Sequence, residues 1–175
     1  MENELKIDPR LVEEFLNFSK NIAEAPKLVA APDEMILETT PHDVAYTEDK
    51  VRLLHYKPLT STQNKVPLVI AYAIINRHHI LDIHPKKSWV RNLLEQGIDV
   101  YMIDWGSPTN IDKYLDMDDY VNVYLDHCVD FVKHESGTDN VSLQGYCTGG
   151  TLAAIYAALH PKNVKNLVAT APVID

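Results

Sequence analysis

The sequence predicts an α/β fold in which a mostly parallel sheet is flanked by helices, and three observations carry that prediction. Apolar runs with almost no polar alternation, residues 67–75 foremost, suit strands covered on both faces, which parallel sheets require. Stretches with helical spacing of apolar residues separate these runs, so strand and helix alternate along the chain. At one junction Gly145-Tyr146-Cys147-Thr148-Gly149-Gly150 turns a strand pattern abruptly into a helix pattern, the form of a nucleophile elbow with cysteine at its tip.

Taken in order, residues 9–25 place Leu11, Val12, Phe15, Leu16, Phe18 and Ile22 at helical spacing, with Pro9 near the start and Pro26 closing the segment. This amphipathic helix is expected to pack on the core in preference to docking on a partner. Residues 25–32, with two prolines and several alanines, read as a linker, which divides the chain into 1–32 and a main domain over 33–175. Strands follow over 35–47 and 51–57, joined by Glu48-Asp49-Lys50, and a hairpin at a sheet edge is the simplest arrangement. After the buried run at 67–75 comes a loop with Asn76-Arg77-His78-His79, then a helix over 88–96 stopped by Gly97. The next strand spans 98–105, and residues 106–110 break it. A helix over 118–135 carries Tyr120, Val121, Tyr124, Leu125, Cys128 and Val132 on one stripe, which assigns Cys128 to the core. A strand over 140–145, a helix over 148–160 and a strand over 165–171 complete the alternation. Residues 173–175 follow that last strand with neither a crossover helix nor a further strand, so the sheet reads as incomplete at this end.

Composition narrows the class. The chain has 175 residues, 46% hydrophobic and 23% charged, enough for one domain with a proper core. Its net charge of −9 argues against nucleic acid or an anionic membrane surface as main partner. Cys128 and Cys147 form no CxxC pair, and no Cys/His cluster has metal-ligand spacing, so no metal is expected and a reducing cytoplasm fits best. No apolar signal core opens the sequence and no apolar run reaches membrane-spanning length.

The chemistry centres on Cys147. The positive end of the following helix favours an anionic nucleophile at that point, and the Thr148 backbone N–H faces an oxyanion formed on an attacked carbonyl. A second N–H is expected from the loop after the first buried strand, with Ile74 the leading candidate and Ala73 or Ile75 beside it. Asn76, Arg77, His78 and His79 in the same loop are candidates for lining the substrate, the histidines equally for a structural role. His160 stands 13 residues beyond Cys147 along the helix, roughly 20 Å away at ~1.5 Å per residue, which excludes it as base. His127 and His134 read as solvated or capping residues, and Asp104 as a loop anchor accepting backbone hydrogen bonds. Arg77, Lys86, Lys87 and Arg91 form a local cationic group suited to phosphates, although a solvated helix face explains the last three equally well.

Several motifs together resemble the catalytic subunit of polyhydroxyalkanoate synthases of the short, two-subunit type. They are Asn76-Arg77, Leu81-Asp82-Ile83, Val100-Tyr101-Met102-Ile103-Asp104-Trp105-Gly106, Asp118-Asp119-Tyr120, Asp126-His127-Cys128-Val129-Asp130, the cysteine elbow and Ala158-Leu159-His160-Pro161, spread over 67–175. The resemblance implies an α/β-hydrolase fold and polymerisation of hydroxyacyl groups from coenzyme A thioesters by a Cys, His and Asp triad. It carries the cysteine onto Cys147, while the Asp and His are expected beyond residue 175. Thr148 follows the cysteine where members of the family often carry another residue. The resemblance further implies hydroxyacyl-coenzyme A and a growing polyester as substrates, with no cofactor beyond the coenzyme A that the substrate carries. A second synthase subunit, a homodimer, and a cytoplasmic place at the polyester granule surface follow from the same source. Two rivals remain: a dienelactone-hydrolase-like enzyme, which also uses a Gly-Tyr-Cys-x-Gly-Gly turn, and a non-enzymatic module that binds a partner subunit or granule.

Overall fold

The computed structural model describes residues 40–174. The chain divides into two units, Met1–Ile36 and Leu37–Asp175. The expected helix over 9–25, the linker over 25–32 and the start of the first expected strand lie outside the described residues.

Six strands form one sheet in the order β1-β2-β4-β3-β5-β6. β1 (His42–Glu48) and β2 (Val51–Tyr56) make the expected edge hairpin, turning at Asp49 with φ 50°. β2 also runs antiparallel to β4 (Val100–Asp104), and its register sets Arg52 opposite Asp104. The remainder is parallel: β3 (Leu68–Ala71) lies between β4 and β5 (Val141–Tyr146), and β6 (Val164–Thr170) borders β5. Every residue of β3 and β4 is buried, which is why neither strand shows polar alternation. β6 leaves Leu167 and Val168 exposed.

β3 is shorter than the apolar run that announced it. Tyr72 and Ala73 stay buried but leave the ladder, and the Asn76 N–H donates to Ala73 O (3.1 Å) to close a turn. A 3-10 turn over His78–Leu81 follows. Helix α1 (Trp89–Glu95) begins where the Ser88 hydroxyl accepts from the Arg91 N–H (2.9 Å), and Gly97 at φ 74° carries the chain out of it.

The single helix expected over 118–135 is in fact two windings end to end. Asp119–Leu125 is π-wound, and α2 (Asp126–Ser136) continues it as α-helix to Gly137 in the left-handed region. An apolar pattern over seven residues fits either period, so the sequence could not separate them. The π-wound part carries both tyrosines onto the β1–β2 turn, where Lys50 Nζ donates to the Tyr120 hydroxyl (3.2 Å) and the Tyr124 hydroxyl donates to Asp49 (3.0 Å). A second unexpected 3-10 turn, Asn110–Tyr114, is set by a capping box between Thr109 and Asp112. α3 (Thr148–Leu159) runs from the elbow to His160. Cys128, Val129 and Val132 of α2, with Leu152, Ala153 and Tyr156 of α3, join β3, β4 and β5 in one core, which fixes the strand ends that carry the site.

Candidate active site

The elbow is built by local backbone geometry. Cys147 has φ 55° and ψ −125°, a conformation that costs a non-glycine residue about 1–3 kcal/mol and persists only where the surroundings impose it. They do so on both sides: the Cys147 N–H donates to Thr170 O on β6 (2.9 Å), and the Gly150 N–H donates to Cys147 O (2.8 Å). Gly149 lies against the end of β3, where a Cβ would stand 2.5 Å from Tyr72 O and closer still to Ala71 O. The cysteine is thereby held at the C-terminal end of β5, beside β3, where the chain has crossed from one side of the sheet to the other.

Cys147 is partly exposed and forms no disulfide. Thr148 opens α3, so its N–H belongs to the first turn and lacks an intrahelical acceptor. Its hydroxyl is buried without a hydrogen-bond partner among the described residues. Cys128 is the opposite kind of thiol: burial first, and the Glu48 carboxylate second, push it up to about 12.

The loop after β3 is pinned to the exit of β4. Trp105 Nε1 donates to Tyr72 O (2.9 Å), and His78 Nδ1 lies 3.3 Å from Asp104 Oδ1. Arg77 Nη1 donates to the Ser107 hydroxyl (2.7 Å). Farther on, Asp82 accepts from the Thr40 N–H (2.7 Å) and hydroxyl (2.8 Å). Between these anchors Ile74 and Ile75 are exposed, the latter at 78%. Asn76 and Arg77 also face solvent. His78 does not: it is 2% exposed, so among the four substrate-lining candidates it is the one turned inward, while His79 is partly buried beside it at 4.0 Å between ring centroids.

Asp104 anchors the loop as expected, accepting from the Gly106 N–H (3.1 Å), and does more. Arg52 donates to it twice, from Nε (3.0 Å) and Nη2 (2.6 Å). Burial alone raises a carboxyl, but here the bonds from His78, Arg52 and the Gly106 amide outweigh it and hold the Asp104 carboxyl well below the usual carboxylate range. Burial and the nearby Asp104 charge push the Tyr72 hydroxyl up to about 12. Arg52 had no signal in the sequence, because its place beside Asp104 follows from the β2–β4 register.

The remaining candidate histidines, His127, His134 and His160, lie on α2 or at the end of α3. His127 Nδ1 is 2.9 Å from Glu48, His134 pairs with Glu135, and His160 ends α3, where Nε2 meets Asn122 (2.9 Å) and the ring stacks on Tyr156. The basic residues are individually engaged or solvated: Arg91 pairs with Glu95 (3.1 Å), and Lys86 and Lys87 are exposed.

A family model described as "alpha/beta hydrolase fold" matches residues 66–175, well over half of the chain. The chain belongs to the α/β-hydrolase fold family. Solved members of that fold agree at the level of the backbone: the Francisella virulence factor BioJ superimposes with a TM-score of 0.61 at 16% identity, covering 86% of this chain and 50% of BioJ. A second model, "Poly-beta-hydroxybutyrate polymerase (PhaC) N-terminus", matches residues 33–93. Among curated proteins, the poly(3-hydroxyalkanoate) polymerase subunit PhaC of Haloferax mediterranei is 54% identical over 134 residues, 77% of this chain and 27% of that protein. The subunit of the same name from Allochromatium vinosum is 38% identical over 168 residues, 95% of this chain and 47% of that protein. The chain therefore spans less than half the length of either relative. None of the described helices is long and apolar enough to cross a membrane.

Proposed function

We propose that this chain is part of a polyhydroxyalkanoate polymerase and that Cys147 is its acyl acceptor. The observation that carries the reading is a thiol held at φ 55°, ψ −125° on the N-terminus of α3, in a chain whose similar relatives are named poly(3-hydroxyalkanoate) polymerase subunits. The Cys147 sulfur attacks the carbonyl of a hydroxyacyl-coenzyme A, the carbon–sulfur bond to coenzyme A breaks, and its thiol leaves with the proton. The hydroxyl of a growing chain then attacks the enzyme thioester, forming an ester and returning the thiol. Exchange between two thioesters is nearly balanced in energy, which suits a sulfur nucleophile. The backbone N–H groups of Thr148 and Ile74 stabilise the oxyanion in each half-reaction. Asn76, Arg77 and His79 border the acyl or coenzyme A portion, with Lys86, Lys87 and Arg91 available to its phosphates. The reading assigns the general base to a histidine, oriented by an aspartate, in the part of the relatives that this chain does not span. It also includes a second synthase subunit, self-association as a dimer, and a cytoplasmic site at the granule surface.

Mass spectrometry after incubation with 3-hydroxybutyryl-coenzyme A tests it. The expected result is one hydroxybutyryl adduct on Cys147, absent in Cys147→Ala. Adducts that persist in Cys147→Ala refute the assignment, and rapid release of free hydroxy acid in place of a retained adduct points to a dienelactone-hydrolase-like enzyme.

A further inference from the structure

We infer that His78 and Asp104 are a positioning pair for the oxyanion loop: they fix the turn at 73–77 so that its N–H groups meet the substrate oxygen over Cys147. The inference rests on the reading of Cys147 as acyl acceptor and adds to it two residues that never touch substrate.

The argument is geometric. Asp104 and Trp105 are consecutive at the end of β4, and they hold the two ends of one short turn: Trp105 Nε1 grips Tyr72 O (2.9 Å), and Asp104 Oδ1 meets His78 Nδ1 (3.3 Å). The five residues between those grips, 73–77, contain the Asn76 to Ala73 hydrogen bond and the exposed Ile74 and Ile75. Tyr72 O and Ala71 O, at the foot of the turn, abut Gly149 two residues after the nucleophile. The turn is thus located relative to Cys147 at its foot by α3 and at its far end by Asp104.

The pair is not what stability alone selects. Burying an imidazole and a carboxylate removes both from water, and an apolar side chain of similar size fills such a space at no desolvation cost. What the pair adds is direction, because the carboxylate is itself oriented by three hydrogen bonds, two from Arg52 across the β2–β4 register and one from the Gly106 N–H. The three residues that meet Asp104, Arg52, His78 and Gly106, come from three different places: β2, the loop after β3, and the exit of β4. An oxyanion donor displaced by a fraction of an ångström loses much of its effect, so a rigid far anchor matters for rate more than for folding.

The test compares two reactions of one thiol. Acylation by 3-hydroxybutyryl-coenzyme A passes through an oxyanion, whereas alkylation by iodoacetamide attacks a saturated carbon and has none. Both are followed by mass spectrometry on Cys147 in the full chain at about pH 9.5, above the ordinary thiol value, so that no protein base is needed. In His78→Leu acylation falls about 10- to 100-fold, approaching the loss of one oxyanion donor, while alkylation stays at the wild-type rate. His78→Gln keeps a donor facing Asp104 and restores most of the acylation rate. Amide hydrogen exchange across 72–82 rises in His78→Leu and in Asp104→Asn. Equal acylation in His78→Leu and wild type overturns the inference, and so does a parallel fall in alkylation, which means that the elbow itself has been disturbed. If wild-type Cys147 is alkylated but never acylated, the polymerase reading fails, and exchange decides the anchor by itself: unchanged exchange in both variants overturns it.

Discussion

Gly149→Ala tests the elbow most directly, because the perturbation is one methyl group and its surroundings are known. Gly149 has ordinary helical backbone, so alanine is conformationally acceptable there and brings up to ~1 kcal/mol of helix propensity. Against that, the new Cβ stands 2.5 Å from Tyr72 O and nearer still to Ala71 O, whereas ordinary contact begins at 3.4 Å. Something must retreat by about 1 Å, and the two oxygens belong to Ala71, the last residue of β3, and to Tyr72 directly after it, where β3 is paired on each side by β4 and β5. Overpacking of this kind typically costs ~1–3 kcal/mol, and two buried backbone oxygens at the end of an interior strand place it at the upper end. The net loss is about 2 kcal/mol, a fall of about 4–8 °C in Tm for a domain of this size. Gly137→Ala is the control: it has a strained φ of 63° but nothing within 4 Å, so it lowers Tm without altering Cys147 reactivity. Thermal unfolding followed by circular dichroism, paired with iodoacetamide kinetics at Cys147, reads both quantities. A Gly149→Ala chain that melts at the wild-type temperature with unaltered Cys147 kinetics would falsify the packing argument.

Three further outcomes are expected. In the folded chain iodoacetamide modifies Cys147 and leaves Cys128 intact, since burial and the Glu48 charge hold the latter thiol at about 12, and denaturation makes both reactive; early labelling of Cys128 contradicts its place in the core. Thr148→Val removes a buried hydroxyl without a partner among the described residues and raises stability by about 1 kcal/mol, or about 2–4 °C in Tm, so a lower Tm reveals a partner for that hydroxyl. Asp104 has a depressed folded-state carboxyl, so its pairing stabilises fully above the unfolded carboxylate value near ~3.9 and fades as pH falls through the folded value. The stability gap between wild type and Asp104→Asn in urea titrations is therefore constant from about pH 7 to 5 and narrows below about pH 4, and a gap that widens with acid refutes the pairing.

The fold was legible wherever burial is set by a strand's own residues. β3 and β4 read as continuous apolar runs because both faces are covered, and the polar Glu48-Asp49-Lys50 turn sits where the hairpin turns. Element ends were less legible. Residues 72–75 are as apolar as β3 itself, yet the chain leaves the ladder there, with α3 pressed against the carbonyls of Ala71 and Tyr72. That contact joins residues more than seventy positions apart, and no local pattern encodes it.

The site divides along the same line. Cys147 could be found because the glycines around it are a local record of close approach, and each has a steric reason in the structure. His78 and His79 are adjacent and alike in sequence, and nothing local ranks them. The structure separates them through a 3-10 turn, in which successive side chains are rotated by about 120° and residues three apart eclipse. His78 and Leu81 consequently both face inward, while Ile80 faces out and His79 lies between. His78 is then set against Asp104, and His79 is partly buried beside it. Had the segment been an ordinary irregular loop, either histidine could have faced Asp104; the three-residue period is what turns His78 inward.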